Sequence, residues 1–166
     1  MATIRSFIRC AKGAAAAEMA LIMPIAVLLL FAGFEAAHYF YTEHQIVKGL
    51  RDGARYAARQ SFEDINCRSG ASIDSGVATE IQNVARTGKT TGGNARVSGW
   101  DNADITVSVT CPTAAEAQTG IYNSSEPAPQ VNLSTSINYD SLFNGLGVIT
   151  DSAKIGGRQQ ATVMGI

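Results

Sequence analysis

The distribution of hydrophobic and polar residues divides the chain into two parts. Residues 19–34 carry no polar side chain, and small or apolar residues extend this run to 14–37, interrupted only by Glu18 and Glu35. At about 1.5 Å per residue, a helix of this length covers a hydrocarbon core of about 30 Å. The pattern therefore predicts a helix that spans a membrane.

Residues on either side of the apolar run predict its orientation. Arg5, Arg9 and Lys12 precede it and are all basic, which favours a cytoplasmic N-terminus. Aromatic residues at 39–41 follow it, and such rings favour the headgroup level. The rest of the chain is then extracytoplasmic. A cleavable signal peptide is the alternative, since its pattern is similar, but Glu18 at the head of the run argues against it.

Beyond the aromatic residues, apolar positions at helical spacing predict that the helix continues as a stem to about Ser61. Small residues recur along it at every fourth position, at Gly49, Gly53 and Ala57. Such a stripe permits close approach of another backbone. It can pack between subunits or against the chain's own sheet, and we favour the second use.

The remaining residues predict a small α+β domain. Apolar positions over 73–85 follow one helical face, with Ser72 as the expected N-cap and Gly88 as the stop. Alternation of apolar and polar residues predicts strands over 105–111, 131–139 and near 159–164. The expected fold is a long N-terminal transmembrane helix continuing into a stem, followed by a small extracytoplasmic domain with an antiparallel sheet and one short helix.

The outer domain contains one tryptophan and one long loop. Trp100 is expected to be a hydrophobic anchor of the core. Residues 112–130 form a long loop, and loops of this length are often functional. This loop is the first candidate for a surface that contacts a partner.

Composition and motifs exclude several functions. The chain has 166 residues and a net charge of -1, without a basic cluster after the first stretch, so no nucleic-acid partner is expected. Gly88-Lys89-Thr90 imitates the end of a phosphate loop, but Asn83 stands where its leading glycine belongs. His38 and His44 do not share a helix face, so no metal site is expected. We therefore expect no catalysis, no cofactor and no small-molecule substrate.

The stretch GAAAAEM, which begins at Gly13 and contains Glu18, resembles the processing site of type IV pilin-like proteins. In those proteins a peptidase cuts after the glycine and leaves glutamate as the fifth residue. With residues 20–24, Glu35 and the stretch RDGARYAA from Arg51, about the first third of the chain resembles the TadE-like family of the tight-adherence system. The resemblance implies a minor pseudopilin that takes part in assembly or export of Flp-type pili.

The same resemblance implies partners and a location. Cleavage after Gly13 requires a prepilin peptidase, and assembly involves other pilin-like subunits, the Flp pilin and the inner-membrane assembly platform. The protein is expected in the inner membrane as a single-pass protein, with its C-terminal domain in the periplasm or outside the cell, and possible incorporation in a pilus. The alternative function is a membrane-tethered binding or sensor module that does not assemble.

Cleavage also suggests a role for the charged residues of the span. It creates an ammonium group on Ala14, one helical turn from Glu18, and opposite charges attract strongly at low dielectric. The pairing is internal or, as the family implies, with a neighbouring subunit. Glu35 is implied in assembly by the same resemblance. For Glu18, a carboxylate that reaches the cytoplasmic face is the simpler alternative.

Processing gives the expected organisation and accounts for the odd number of cysteines. Residues 1–13 are the leader, 14–66 the transmembrane helix and stem, and 67–166 the outer domain. The leader carries Cys10, so cleavage leaves Cys67 and Cys111 as a pair that should be oxidised outside the cytoplasm. Two free buried thiols are the alternative.

Overall fold

A computed structural model describes residues 11–144 and 152–165 of the chain. Its first element, α1, is a helix of 47 residues from Ala11 to Ala57 that contains Pro24. Most of the expected leader, including Cys10, lies outside the described residues. The helix ends four residues before Ser61, where a tight turn replaces its last predicted turn. One continuous element therefore carries both the predicted span and the predicted stem.

A short hairpin and a second helix follow α1. The hairpin pairs β1 (Ile65–Asn66) with β2 (Ser72–Ile73) and was not predicted from the sequence. Helix α2 covers Ser75–Thr87 and stops at Gly88, whose φ of 81° suits glycine. The predicted N-cap was wrong. Asp74 caps the helix, since its carboxylate accepts hydrogen bonds from Gly76 and Val77, whereas Ser72 lies in β2.

The three predicted strands form one antiparallel sheet in the order β3-β4-β5. They cover Ile105–Thr110, Gln130–Asn138 and Lys154–Thr162. Strand β5 begins five residues before its predicted start, because Gly156 and Gly157 interrupt the apolar alternation there. A Cβ at Gly156 would lie 2.5 Å from the carbonyl oxygen of Thr135. Glycine therefore allows β5 to approach β4 closely at this point.

The core joins the second half of α1 to the outer domain. One face of α1 packs against α2, β4 and β5, which confirms the predicted α+β fold. Trp100 lies at the centre, fully buried, and its indole N–H donates to the Thr135 hydroxyl at 3.1 Å. Other fully buried core residues include Ile46, Leu50, Ala57, Ile65, Ile81, Ala85, Val131 and Val163.

The small-residue stripe of α1 faces this core. A Cβ at Gly49 would lie 2.3 Å from the Ala85 carbonyl oxygen, and one at Gly53 would lie 2.9 Å from Leu133. Ala57 is fully buried. The chain's own α2, sheet and Trp100 therefore occupy the stripe, as the favoured interpretation expected.

We expect Gly49→Ala to destabilise the outer domain by about 2 to 3 kcal/mol, because its methyl group overlaps backbone that cannot rotate away. Denaturant unfolding of the detergent-solubilised chain, followed by Trp100 fluorescence, measures the change. Gly33→Ala is the matched control, since it lies on the same helix and its added methyl group would meet nothing within 4 Å. Equal stability of the two variants would contradict the packing described for the stripe.

Candidate functional site

The first half of α1 exposes a continuous apolar surface. Its large apolar side chains from Met19 to Leu30, together with Phe34, are between 45% and 74% exposed. Among the described residues this is the one helix long and apolar enough to cross a membrane. A surface of this size in contact with water would be strongly unfavourable, so lipid is its natural environment.

The continuity of α1 also bears on the signal-peptide alternative. A signal peptidase cut near Ala36 or Ala37 would remove Glu35, which is 2% exposed in the structure. It would also cut the helix that carries the core residues Ile46 and Leu50. The apolar segment and the domain core are thus parts of one helix. This arrangement favours a retained membrane anchor.

Glu18 is the only charged residue of the chain between Gly13 and Phe34. Its side chain is exposed on the apolar surface, and the structure gives it no ion-pair or hydrogen-bond partner within the described residues. Ala14 lies one helical turn before it, and Gly13 stands in open space on the helix. At the bilayer centre an unpaired carboxylate costs roughly 3 kcal/mol on insertion scales. Glu18 lies near the start of the span, so either a partner from outside this arrangement or the cytoplasmic face has to satisfy its charge.

The second carboxylate of the span, Glu35, has its partners within the chain. One oxygen accepts from the backbone N–H of Leu142 at 3.3 Å and the other from Phe143 at 3.1 Å. The side chains of Tyr139 and Ser141 lie next to the carboxylate. Glu35 therefore fastens the chain after β4 to the membrane helix. The implied role in assembly is not a direct contact in this arrangement.

Tyr139 links this cluster to the stem. Its hydroxyl lies 2.8 Å from His38 Nδ1 and 3.3 Å from the Glu35 carbonyl oxygen, to which it donates. Burial raises the pKa of Tyr139, and the neighbouring Glu35 carboxylate adds to the rise. The phenol is therefore neutral across the physiological range and remains a hydrogen-bond donor. His38 thus has a structural partner, whereas His44 is exposed.

The two cysteines predicted to pair are joined in the structure. Cys67 and Cys111 form a disulfide with a Cα–Cα distance of 5.7 Å, which connects the β1 hairpin to the end of β3. Next to it, Glu126 is buried, accepts from the Cys67 backbone N–H at 2.9 Å and forms an ion pair with Arg68. The disulfide and Glu126 therefore hold both ends of the 112–130 loop near the hairpin.

The middle of the 112–130 loop is partly anchored and partly exposed. The Tyr122 hydroxyl donates to the Val163 carbonyl oxygen at 2.6 Å, which attaches the loop beyond β5. Ile121, the next residue toward the N-terminus, is 62% exposed. A partner contact through this loop stays a prediction.

The described residues offer little for chemistry on small molecules. They contain no group of three or more His, Cys, Asp or Glu side chains that could hold a metal ion. A concavity beside the stem, lined by His38, Thr42, Arg96 and Asp140 among others, has a volume of about 140 Å³. Ligand pockets usually start at about 300 Å³, so this one is small. Two wider concavities on the outer domain, of about 430 and 510 Å³, are lined mostly by polar residues, whereas ligand pockets are lined mainly by apolar side chains. What the site offers is a lipid-facing helix, one unpaired carboxylate and a domain fastened to that helix.

Fold and span together fit a single-pass membrane protein with a disulfide-bonded α+β domain. A family model described as TadE-like protein matches residues 13–55, which is about a quarter of the chain and lies entirely within α1. The match confirms the resemblance and associates the chain with the Tad pilus system; the family is in general non-catalytic. No curated protein and no solved structure matches the chain.

Several residues of this site were not predicted from the sequence. Leu142 and Phe143 reach Glu35 across more than a hundred positions, and Glu126 reaches Cys67 across 59. Arg96 pairs with Asp52 at 2.8 Å, although the two residues are remote from each other in the sequence.

Proposed function

We propose that this chain is a minor pseudopilin-like subunit of the Tad system that takes part in assembly or export of Flp-type pili. One observation carries the proposal: Glu18 is exposed and unpaired on a lipid-facing helix, one turn after a Gly13-Ala14 bond that stands in open space. The match of residues 13–55 to the TadE-like family model supports the same interpretation.

The proposed mechanism begins with removal of residues 1–13 by a prepilin peptidase. The new Ala14 ammonium is attracted to a Glu18 carboxylate, either in the same chain or in its neighbour. A pair between neighbours fixes their axial offset, because each carboxylate must stand level with the next amine. In lipid, where the dielectric is low, both charges gain more from pairing than they would in water. Assembly thereby satisfies a group that the isolated chain leaves unpaired.

The proposed topology follows from the basic leader. The N-terminus lies in the cytoplasm, residues 14–66 form the inner-membrane helix and stem, and residues 67–166 form the periplasmic or extracellular domain. The disulfide between Cys67 and Cys111 suits such an oxidising compartment. Proposed partners are the prepilin peptidase, the Flp pilin, other pilin-like subunits and the inner-membrane assembly platform.

Glu35 and the small-residue stripe have a different proposed part in assembly. Both already have partners within the chain: Glu35 binds the segment after β4, and the stripe packs against the domain core. We assign them the task of fixing the outer domain on the helix that enters the assembly. Glu18 is then the residue of the span that contacts a neighbour directly.

Mass spectrometry of the N-terminus tests the proposed processing. The chain isolated from membranes of its native host should start at Ala14, and Gly13→Leu should leave Met1 and the leader in place. Gly33→Leu is the matched control, because both glycines lie on α1 and a Cβ added at either would meet nothing within 4 Å. A wild-type chain that keeps its leader would instead support the tethered binding or sensor module, and a start near Ala37 would support a signal peptide.

A further inference from the structure

The chain segment that follows β4, residues 141–144, lies beside the membrane helix and not above it. The ring of Phe143 contacts the ring of Phe31 edge to face, with centroids 4.9 Å apart. The backbone N–H groups of Leu142 and Phe143 donate to Glu35, one turn further along α1. Two independent contacts thus place this segment level with residues 31–35 of the helix.

That level lies at the outer edge of the hydrocarbon core. If the hydrocarbon core begins at Ala14, the first residue of the apolar run, residues 14–34 cover its thickness of about 30 Å and Phe34 lies at its outer boundary. Phe31 then lies about 4 to 5 Å inside the boundary, and the aromatic residues at 39–41 lie about 7 Å or more beyond it, among the headgroups. Phe143, in contact with Phe31, is therefore at the depth of the acyl chains.

The two middle side chains of the segment, Leu142 and Phe143, suit lipid, whereas Ser141 and Asn144 at its ends are polar. Leu142 is 53% exposed, and Phe34 at the same level of the helix is 56% exposed. Phe143 covers part of Phe31, which is the first large side chain of the span, counted from Met19, that is partly buried. The apolar surface of the helix thus continues onto the segment without an intervening charge.

The backbone of the segment also suits lipid. Irregular backbone is tolerated at membrane depth only where its polar groups are satisfied within the protein. Glu35 supplies acceptors for two consecutive N–H groups, and they in turn satisfy a carboxylate that is only 2% exposed. Neither the glutamate nor the segment would be well placed in lipid without the other.

We propose that residues 141–144 are a second membrane-contacting element, which enters the outer leaflet beside α1 and presents Leu142 to the acyl chains. The partner is the lipid itself. The proposal rests on the membrane location of α1, but it requires neither processing nor pilus assembly. It accounts for Glu35 as the residue that holds this element at the edge of the bilayer.

Depth-dependent fluorescence quenching tests the proposal on the full chain in phosphatidylethanolamine and phosphatidylglycerol vesicles. An environment-sensitive fluorophore is attached to Leu142→Cys in a Cys10→Ser background, with Cys67 and Cys111 protected by their disulfide. Quenching by nitroxide-labelled acyl chains is compared with quenching by aqueous iodide. Leu30→Cys, 55% exposed on the span, and Ile121→Cys, 62% exposed on the outer loop, are the matched reference positions.

The fluorescence of the label at Leu142 should be quenched as it is at Leu30. Lipid nitroxides should quench it strongly, and iodide should quench it several-fold more weakly than it quenches the label at Ile121. Iodide quenching equal to that at Ile121, with lipid quenching retained at Leu30, overturns the proposal and leaves the membrane helix intact. Iodide quenching at both Leu142 and Leu30 overturns the proposal together with the membrane location of α1.

Discussion

Glu18→Gln should nearly abolish pilus assembly while the protein still enters the membrane. Glutamine removes the charge that the Ala14 ammonium of a neighbour would pair with, and leaves that ammonium unpaired in lipid. Removing one member of a buried ion pair costs about 3 kcal/mol or more, which corresponds to roughly hundredfold weaker association. Piliation of a deletion strain complemented with the variant, measured by electron microscopy and in the sheared fraction, gives the result.

The control for this experiment is Glu63→Gln, which removes an exposed carboxylate from the outer part of the chain. It should assemble like wild type. Membrane fractionation and the mass of the N-terminus show that the Glu18→Gln protein is inserted and processed. Normal piliation by an inserted, processed Glu18→Gln chain would remove the physical basis of the proposed function, because the lone carboxylate would then have no role in subunit contact.

Loss of the disulfide should have the largest effect on the stability of the outer domain. The bond closes a loop with a sequence separation of 44 residues, for which the chain-entropy relation gives about 4 kcal/mol. The double variant Cys67→Ser, Cys111→Ser should therefore unfold at much lower denaturant concentration than wild type. Trp100, fully buried in the core, provides the fluorescence signal for the transition.

Cys10→Ser is the control for the cysteine experiment, because Cys10 lies in the expected leader and should not contribute to the core. A reducing agent should lower the unfolding midpoint of wild type and leave that of the double variant unchanged. If reduction does not change the wild-type midpoint, the two cysteines act as free buried thiols in the protein as it is made, and the alternative stated from the sequence would apply.

Sequence reasoning succeeded where the signal is local and periodic. The apolar run before Glu35 predicted the first half of α1, and alternation around Val107 and Leu133 predicted strands that pair directly in the sheet. The pairing of Cys67 with Cys111 followed from the expected oxidising compartment and from the even number of cysteines that remains once the leader is removed. For the helix and the strands, neighbours along the chain hold the information, since helix faces repeat every 3.6 residues and strand faces every second residue.

Sequence reasoning failed where local candidates compete or partners are remote. Ser72 and Asp74 are both good N-cap residues, and pairing of β2 with β1 decides in favour of Asp74 by placing Ser72 in a strand. The start of β5 was hidden because glycines carry no polarity signal. The partners of Glu35 depend on how far β4 extends toward the membrane, which no spacing within α1 specifies.

The single helix that joins the lipid-facing segment to the domain core has a mechanical consequence. Helix α1 is about 70 Å long, and Glu35 together with the contacts around Gly49 and Gly53 fixes the outer domain along its second half. No flexible linker separates the two parts within α1. An axial translation or rotation of the transmembrane segment therefore moves the outer domain by the same distance and the same angle.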